Sequence, residues 1–552
     1  MNNAFVVSNC FQYLLRGKGS RARVSEQPMS ERIESPHKKT RNKPEEILYS
    51  CRHRKEKTLE YNRYSNIFLL RNMPENTHAD LSSKKILQNI LESPPKTALF
   101  WTLIGSVLIS GLTIFGIPVP ISVILLSALF LFHAEFFFPR IFLLTLITAR
   151  MGTDFLADQF SLQIGRSFSF PLSQMLGILL VVYGVAFFFV NIREKKFFHG
   201  PVLSLFLVLF LWGTLSLFYS PIDNESSLVL RECLRLFGIF FLFVFSYHTI
   251  RNKTLLQSIF VTFFISSILP VLLGVYQFIF GIGYTDEAFS VPRIFGTFSH
   301  PNVFSLYLFC LIVLAFAYRR IFAQLPVERC VASGIIALYG ILLVLTYTRV
   351  SLFITLFFFI LLAFFQNRKF LIPLLVFPLV VFLFIPSIQD RFSDIIEFRS
   401  SSSLSWRFAL WNDAIQSVLS QGRILLGYGM GSFSSVIEEI RGNKLGSTDP
   451  HSDPIRFFVE GGLVGIGIYA FMLAILFRKI RMAWKSEVDN PLLKEMLLIV
   501  FSFFAALTLA GFTDHIYSNT VIQWILWIIL GATFSLAREN ENASSITEEA
   551  SA

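Results

Sequence analysis

Apolar stretches long enough to cross a bilayer recur from Ala98 almost to the C-terminus, and no other feature constrains the fold as strongly. Hydrocarbon gives backbone N–H and C=O groups nothing to bond, so each stretch must close its own hydrogen bonds as a helix. The runs predict helices near 98–116, 118–134, 137–150, 171–191, 201–219, 233–249, 255–280, 302–318, 331–347, 350–366, 370–386, 454–477, 493–512 and 520–537. Because 137–150 is short enough to be re-entrant, the expected architecture is an all-α polytopic membrane protein of about 12–14 transmembrane helices. With 53% hydrophobic and 15% charged residues, the composition excludes a soluble multi-domain chain of this length.

Connecting segments orient the helices, because Lys and Arg near helix ends stay on the cytoplasmic side. With the N-terminus inside, Arg193-Glu-Lys-Lys196, Arg251-Asn-Lys253, Arg319-Arg320 with Arg329, Arg368-Lys369, and Arg478-Lys-Ile-Arg481 with Lys485 all fall inside. Ile117-Pro-Val-Pro120, Ser220-Pro-Ile-Asp-Asn-Glu225 and Thr513-Asp-His-Ile-Tyr517, poor in Lys and Arg, fall outside. Both termini are then cytoplasmic, and one large loop, 387–453, faces the periplasm or cell exterior. The chain divides into a basic tail (1–97), eleven helices (98–386), the large loop (387–453), three helices (454–537) and a short C-terminal tail (538–552).

The N-terminal tail holds 18 Lys and Arg against 10 Asp and Glu, which places +8 of the formal +11 there. Without aromatic interleaving or zinc-type spacing, and with a membrane body behind it, nucleic acid is not an expected partner. Either the tail stays disordered near anionic membrane lipid, or the true start is Met29 or Met73. No signal-peptide h-region opens the chain, so the first membrane helix directs insertion. Five cysteines (Cys10, Cys51, Cys233, Cys310, Cys330) show neither a disulfide framework nor metal-ligand spacing.

Inside the large loop, Leu404 to Leu419 places Trp411, Ala414, Ile415, Val418 and Leu419 on one helical face, which predicts a helix on the membrane surface or capping the bundle. Gly427-Tyr-Gly-Met-Gly431 follows; its spacing fits neither phosphate motif, and a flexible turn is expected. The loop ends at His451, just outside a helix that Asp453 would cap and Pro454 would start. A helix N-terminus disfavours imidazolium, so His451 is placed to accept a proton. Arg456 and Glu460 are spaced to pair on one face, while Gly461, Gly462 and Gly465 permit close approach of another helix.

Two further groups share that outer face: Arg293-Ile-Phe-Gly-Thr-Phe-Ser-His-Pro-Asn302, with His300 before Pro301, and Thr346-Tyr-Thr-Arg-Val-Ser351. A lone arginine at a helix end commonly snorkels to lipid phosphate. Three of them (Arg293, Arg349, Arg456) on the face opposite the basic loops instead point to a phosphorylated anionic ligand, which guanidinium groups grip in bidentate fashion.

Arg293 with Gly296-Thr-Phe and Pro301-Asn302, Thr348-Arg349 with Ser351, Arg407 with Trp411, Gly427 with Gly429, and His451 with Glu460, Gly462 and Gly465 together resemble the ordered signature of the O-antigen ligase and polymerase family. The resemblance covers about residues 98–537. Ser452 departs from the Asn that the family often shows there, and 1–97 match nothing in it. It implies a C-type glycosyltransferase-like architecture in the bacterial inner membrane. It also implies a metal-independent, inverting enzyme without cofactors that takes a glycan from undecaprenyl diphosphate on the periplasmic face. The acceptor would be a sugar hydroxyl, on lipid A core for a ligase or on another repeat unit for a polymerase. His451 would be the base; Arg293 and Arg349, with Arg456 or Arg407, would bind the diphosphate. His300 is the rival base; Glu460 and Asp514, beside His515, would support. A transporter or flippase is the reading from another class, but it lacks paired mid-membrane charges or broken helices in repeats.

Overall fold

The computed structural model describes residues 139–551, apart from 157–160, 165–167, 192–200, 223–224, 287–288, 373, most of 377–402, 443–447 and 488–489. All belong to one unit, Ser127–Ala552. The expected tail 1–97, the helices at 98–116 and 118–134, and most of that at 370–386 lie outside the described residues.

The described chain is a helical bundle. In order it forms α1 (Pro139–Leu156), the hairpin β1 (Ser161–Ile164) and β2 (Phe168–Pro171), α2 (Leu172–Asn191), α3 (Pro201–Ser216), α4 (Glu225–Thr249), α5 (Lys253–Ser266) and α6 (Ile268–Ile279). A second hairpin, β3 (Tyr284–Asp286) and β4 (Phe289–Arg293), leads to α7 (Pro301–Ile321), α8 (Pro326–Leu345) and α9 (Arg349–Gln366). After the large loop's α10 (Ser403–Ser420) and α11 (Phe433–Arg441) come α12 (Asp453–Ser486), α13 (Pro491–Ala510) and α14 (Thr520–Ser551). Among the described residues seven helices are long and apolar enough to cross a membrane, counting α5 and α6 as one span. Four begin with proline in the first turn (Pro301, Pro326, Pro454, Pro491), where a missing N–H costs nothing.

Hydrophobicity around the whole circumference marks a helix surrounded by others. α7 is such a helix, buried from Phe304 through Ala315 without a break, and the first 21 residues of α14 are at least as enclosed. α8 buries only Ala332, Tyr339, Leu342 and Leu343, and it leaves Val331, Leu338 and Ile341 outward, as a lipid-facing helix should. The single helix expected at 255–280 is broken at Ser267. Pro270 cannot donate to the preceding turn, and the Ser267 hydroxyl meets the Tyr339 hydroxyl at 2.8 Å, joining the break to α8.

α10 caps the bundle rather than lying apart from it. Its buried face is Leu410, Ala414, Ser417 and Val418, one residue off the expected stripe, and Leu419 is exposed. The shift brings Leu410, Ala414 and Val418 against Phe433, Val436 and Ile437 of α11 and Val459 of α12. α11 has no counterpart in the sequence reading.

α12 is interrupted. Gly462 adopts φ 58°, ψ −144°, which releases carbonyls and amides of neighbouring turns, and segment 424–429 satisfies them. Tyr428 N–H donates to Val459 O (3.0 Å) and Gly429 N–H to Glu460 O (2.8 Å); in return Leu463 N–H donates to Ile424 O (2.8 Å) and Val464 N–H to Leu425 O (3.1 Å). The Gly427-x-Gly429 turn is therefore a backbone clasp on α12. A methyl group on Gly427, whose φ is +64°, would strike the carbonyl of Val459. Gly427→Ala is expected to cost about 1–3 kcal/mol, read as a lower thermal midpoint of the purified chain. Gly461 faces the ring of Trp212 on α3, so that glycine does admit a neighbouring helix.

Candidate functional site

Two turns build one half of the site. Arg293, at the end of β4, is 5% exposed, and its Nε donates to Thr346 O at 2.9 Å. Its Nη2 donates to Asn302 Oδ1 and Thr348 Oγ1, both at 3.0 Å. The guanidinium thus locks the start of α7 to the 346–348 turn, where Tyr347 is held at φ 50°. Ser305 and Ser351, 2.6 Å apart, extend the same seam between α7 and α9. Arg349 opens α9 and is half-buried.

His300 caps α7: its Nδ1 accepts the Asn302 N–H at 3.1 Å, and its ring stands edge-on to Tyr284 at 4.9 Å. With the Nδ1 lone pair engaged, the neutral ring carries its proton on Nε2 and presents a donor. Burial and the nearby Arg293 push its pKa down to about 4, against the pull of Asp514. A histidine lowered in this way stays neutral in the fold while the unfolded chain takes up the proton first. Its contribution to stability is complete above about pH 6.5 and is lost as pH falls toward 4. Thermal midpoints of the native chain from pH 7 to 4 are expected to fall more steeply than those of His300→Asn, which keeps a capping side chain but does not titrate.

The other half surrounds His451. Trp411 Nε1 on α10 donates to Pro450 O at 2.6 Å, Arg407 Nη1 to Thr513 O at 2.6 Å, and Trp406 lies edge-on to the His451 ring at 6.1 Å. His451 itself sits at φ 45°, a left-handed backbone unusual outside glycine and found where a fold constrains a functional residue. The cap of α12 is Ser452, not Asp453. The Asp453 carboxylate turns away to accept the Tyr517 N–H on both oxygens at 3.1 Å, because the 511–519 turn packs directly against this helix start.

That turn brings Asp514 and His515 to His451. Asp514 Oδ1 lies 3.5 Å from His451 Nδ1 and 3.2 Å from His515 Nδ1, and the imidazole rings are 5.1 Å apart. Burial raises the Asp514 carboxyl, but contact with His451 and the nearby His515 and Arg407 outweigh it and hold the group well below the usual carboxylate range. Burial pushes His515 down in spite of Asp514. An anionic aspartate therefore faces two imidazoles.

Beneath lies a buried charge quartet. Arg456 Nε donates to Glu460 Oε1 at 2.8 Å, its Nη2 pairs with Glu232 Oε1 at 3.2 Å, and its Nη1 donates to Ser518 Oγ. Arg235 binds Glu232 Oε2 through Nε (2.9 Å) and Nη2 (2.7 Å), and donates to Tyr517 O at 2.6 Å, its guanidinium 4.5 Å from the Tyr517 ring. Two cations and two anions balance, as buried charges must. The expected Arg456–Glu460 pair is present, and Arg456 also ties α12 to α4 through Glu232 and to the 511–519 turn through Ser518.

The two halves meet: His300 lies within electrostatic reach of His451, Asp514 and Arg407. Sequence reasoning did not find Glu232 and Arg235. Their spacing of three on a helix was a signal, but Glu232 fell just before the helix expected at 233–249. A comparison with curated proteins finds no match. Residues 334–470 match the family described as O-antigen ligase, a span that holds Arg349, Arg407, His451, Arg456 and Glu460, while Arg293, His300, Asp514 and His515 come from either side of it. Over that span, about a quarter of the chain, the protein is similar to the O-antigen ligase family.

Proposed function

We propose that the chain is a bacterial inner-membrane glycosyltransferase, both termini cytoplasmic, that moves a glycan from undecaprenyl diphosphate to a sugar hydroxyl of lipid A core on the periplasmic face. The observation that carries this reading is His451, fixed before α12 with Asp514 3.5 Å from its Nδ1, and with Arg293 and Arg407 from two other segments gathered with it around His300. With the ring proton on Nδ1, the side that faces the Asp514 carboxylate at 3.5 Å, the Nε2 lone pair is left to act as base. His451 Nε2 takes the acceptor hydroxyl proton as that oxygen bonds the anomeric carbon; the bond from this carbon to the diphosphate oxygen breaks on the opposite side, inverting the centre. Charge gathering on the leaving diphosphate is met by Arg407 and Arg349, with the Arg293 clamp shaping the pocket. Arg456, held between two glutamates, acts by positioning α12. His300 serves as an Nε2 donor rather than a base.

Deleting the gene separates the readings. Loss of a ligase leaves long lipid-linked polymer unattached; loss of a polymerase, which would use the same site to join repeat units, leaves single repeats attached. Unchanged surface glycan and lipid-linked pools would remove both. Because guanidinium groups neutralise the leaving group, transfer by the purified protein is expected to persist in excess EDTA, measured as glycan appearing on the acceptor.

A further inference from the structure

The corner between α12 and the 511–519 turn leaves three buried polar atoms without a hydrogen-bond partner: His451 Nδ1, Asp514 Oδ2 and His515 Nδ1. Unpartnered buried polar atoms are rare, and an ion is one of the few things that resolves them. Here the two Nδ1 atoms flank one carboxylate, 3.5 and 3.2 Å from Asp514 Oδ1. The Asp514 side chain is 3% exposed, the histidines 15% and 22%, and one ligand atom from each residue lies within 4.8 Å of the others.

The separations carry more than proximity. At 3.5 and 3.2 Å the two Nδ1···Oδ1 contacts do not form hydrogen bonds. They do match the edges, about 3.3–3.4 Å, of a tetrahedron whose centre is about 2.0–2.1 Å from nitrogen and oxygen ligands. Two imidazoles and one carboxylate suit a borderline ion of zinc type better than magnesium or calcium, which favour oxygen alone. Three protein ligands leave a fourth position open. The backbone is already committed to the arrangement: the His515 N–H donates to Asp514 Oδ1 at 2.9 Å, and the Asp453–Tyr517 hydrogen bonds fix the turn against α12.

We propose that His451, Asp514 and His515 form a zinc(II) site, and that zinc bound there switches transfer off. The second half rests on His451 being the base. A neutral imidazole has one lone pair; zinc at Nδ1 takes it, so the ring proton resides on Nε2 and no lone pair faces the acceptor hydroxyl.

The test uses the full-length purified protein, stripped with chelator and titrated with zinc sulfate against a chromophoric chelator, with X-ray absorption on the loaded sample. One zinc per chain in a nitrogen and oxygen shell containing two imidazoles is expected, with transfer falling in step with occupancy and returning on EDTA. His515→Ala and the volume-conserving His515→Gln should weaken zinc binding by more than the roughly 10- to 100-fold lost with a second-shell partner, and displace the inhibition curve equally. No stoichiometric zinc, or unchanged affinity in both variants, overturns the site and leaves the proposed transfer reaction standing. Zinc that binds, with activity lost in EDTA and restored by zinc, overturns the switch and the metal-independent reading together.

Discussion

His451→Ala is expected to leave a folded, membrane-inserted protein whose glycan transfer is lower by about 10²- to 10⁴-fold, the contribution of a positioned general base. The side chain is 15% exposed and makes no hydrogen bond at Nδ1, so its removal opens little apolar core. Asp514 keeps His515 and Arg407 as neighbours. The backbone supplies a control: at φ 45° every L-residue bears a penalty of about 1–2 kcal/mol that glycine escapes. His451→Gly is therefore expected to melt at or above the native midpoint while being as inactive as the alanine variant. Near-normal transfer by either variant, measured with lipid-linked donor and purified acceptor, would remove His451 from the chemistry.

Much of this arrangement was legible along the chain, and the reasons are physical. Membrane helices declare themselves by length and composition, so α7, α9, α13 and the starts of α12 and α14 fall within two residues of their expected starts. What resisted reading were features that only tertiary contact decides. The break at Gly462 is set by the 424–429 segment that fills it, and a glycine pair in a helix reads equally well as a packing notch. α11 is nine residues long, with an apolar face that has meaning only against α10. For the site, Arg293, Arg349 and Arg456 could be read onto one face with His451, and Arg407 joined them through the resemblance, but the division of labour among them was not visible. Arg456 has the same residue type and spacing whether it binds a ligand or Glu232, and Glu232 is 224 positions away on α4. His300 likewise reads as a base until its Nδ1 is seen to receive the Asn302 N–H.

Arg293→Lys is expected to lower transfer by about 10²- to 10³-fold, although the formal charge is kept. The reason lies in geometry rather than charge. A planar guanidinium reaches Thr346 O through Nε while Nη2 reaches Asn302 Oδ1 and Thr348 Oγ1, so one side chain fixes the first turn of α7 relative to the start of α9. An ammonium is a single point of donors on a flexible stem and cannot span the three acceptors in one plane. Losing the clamp lets the 346–348 turn relax, and with it the position of Arg349, one residue further on. Two measurements on the same variant separate the consequences. A fall in kcat with KM for the lipid-linked donor and thermal midpoint near native marks a group aimed at the developing diphosphate charge. A fall in midpoint with a proportionate rise in KM marks the clamp, and Thr348→Val, which removes one acceptor from the fork without touching the charge, should then reproduce part of the loss. Full activity of Arg293→Lys in the purified assay would show that neither the fork nor its seam shapes the site, and the diphosphate would have to be held by Arg349 and Arg407 alone.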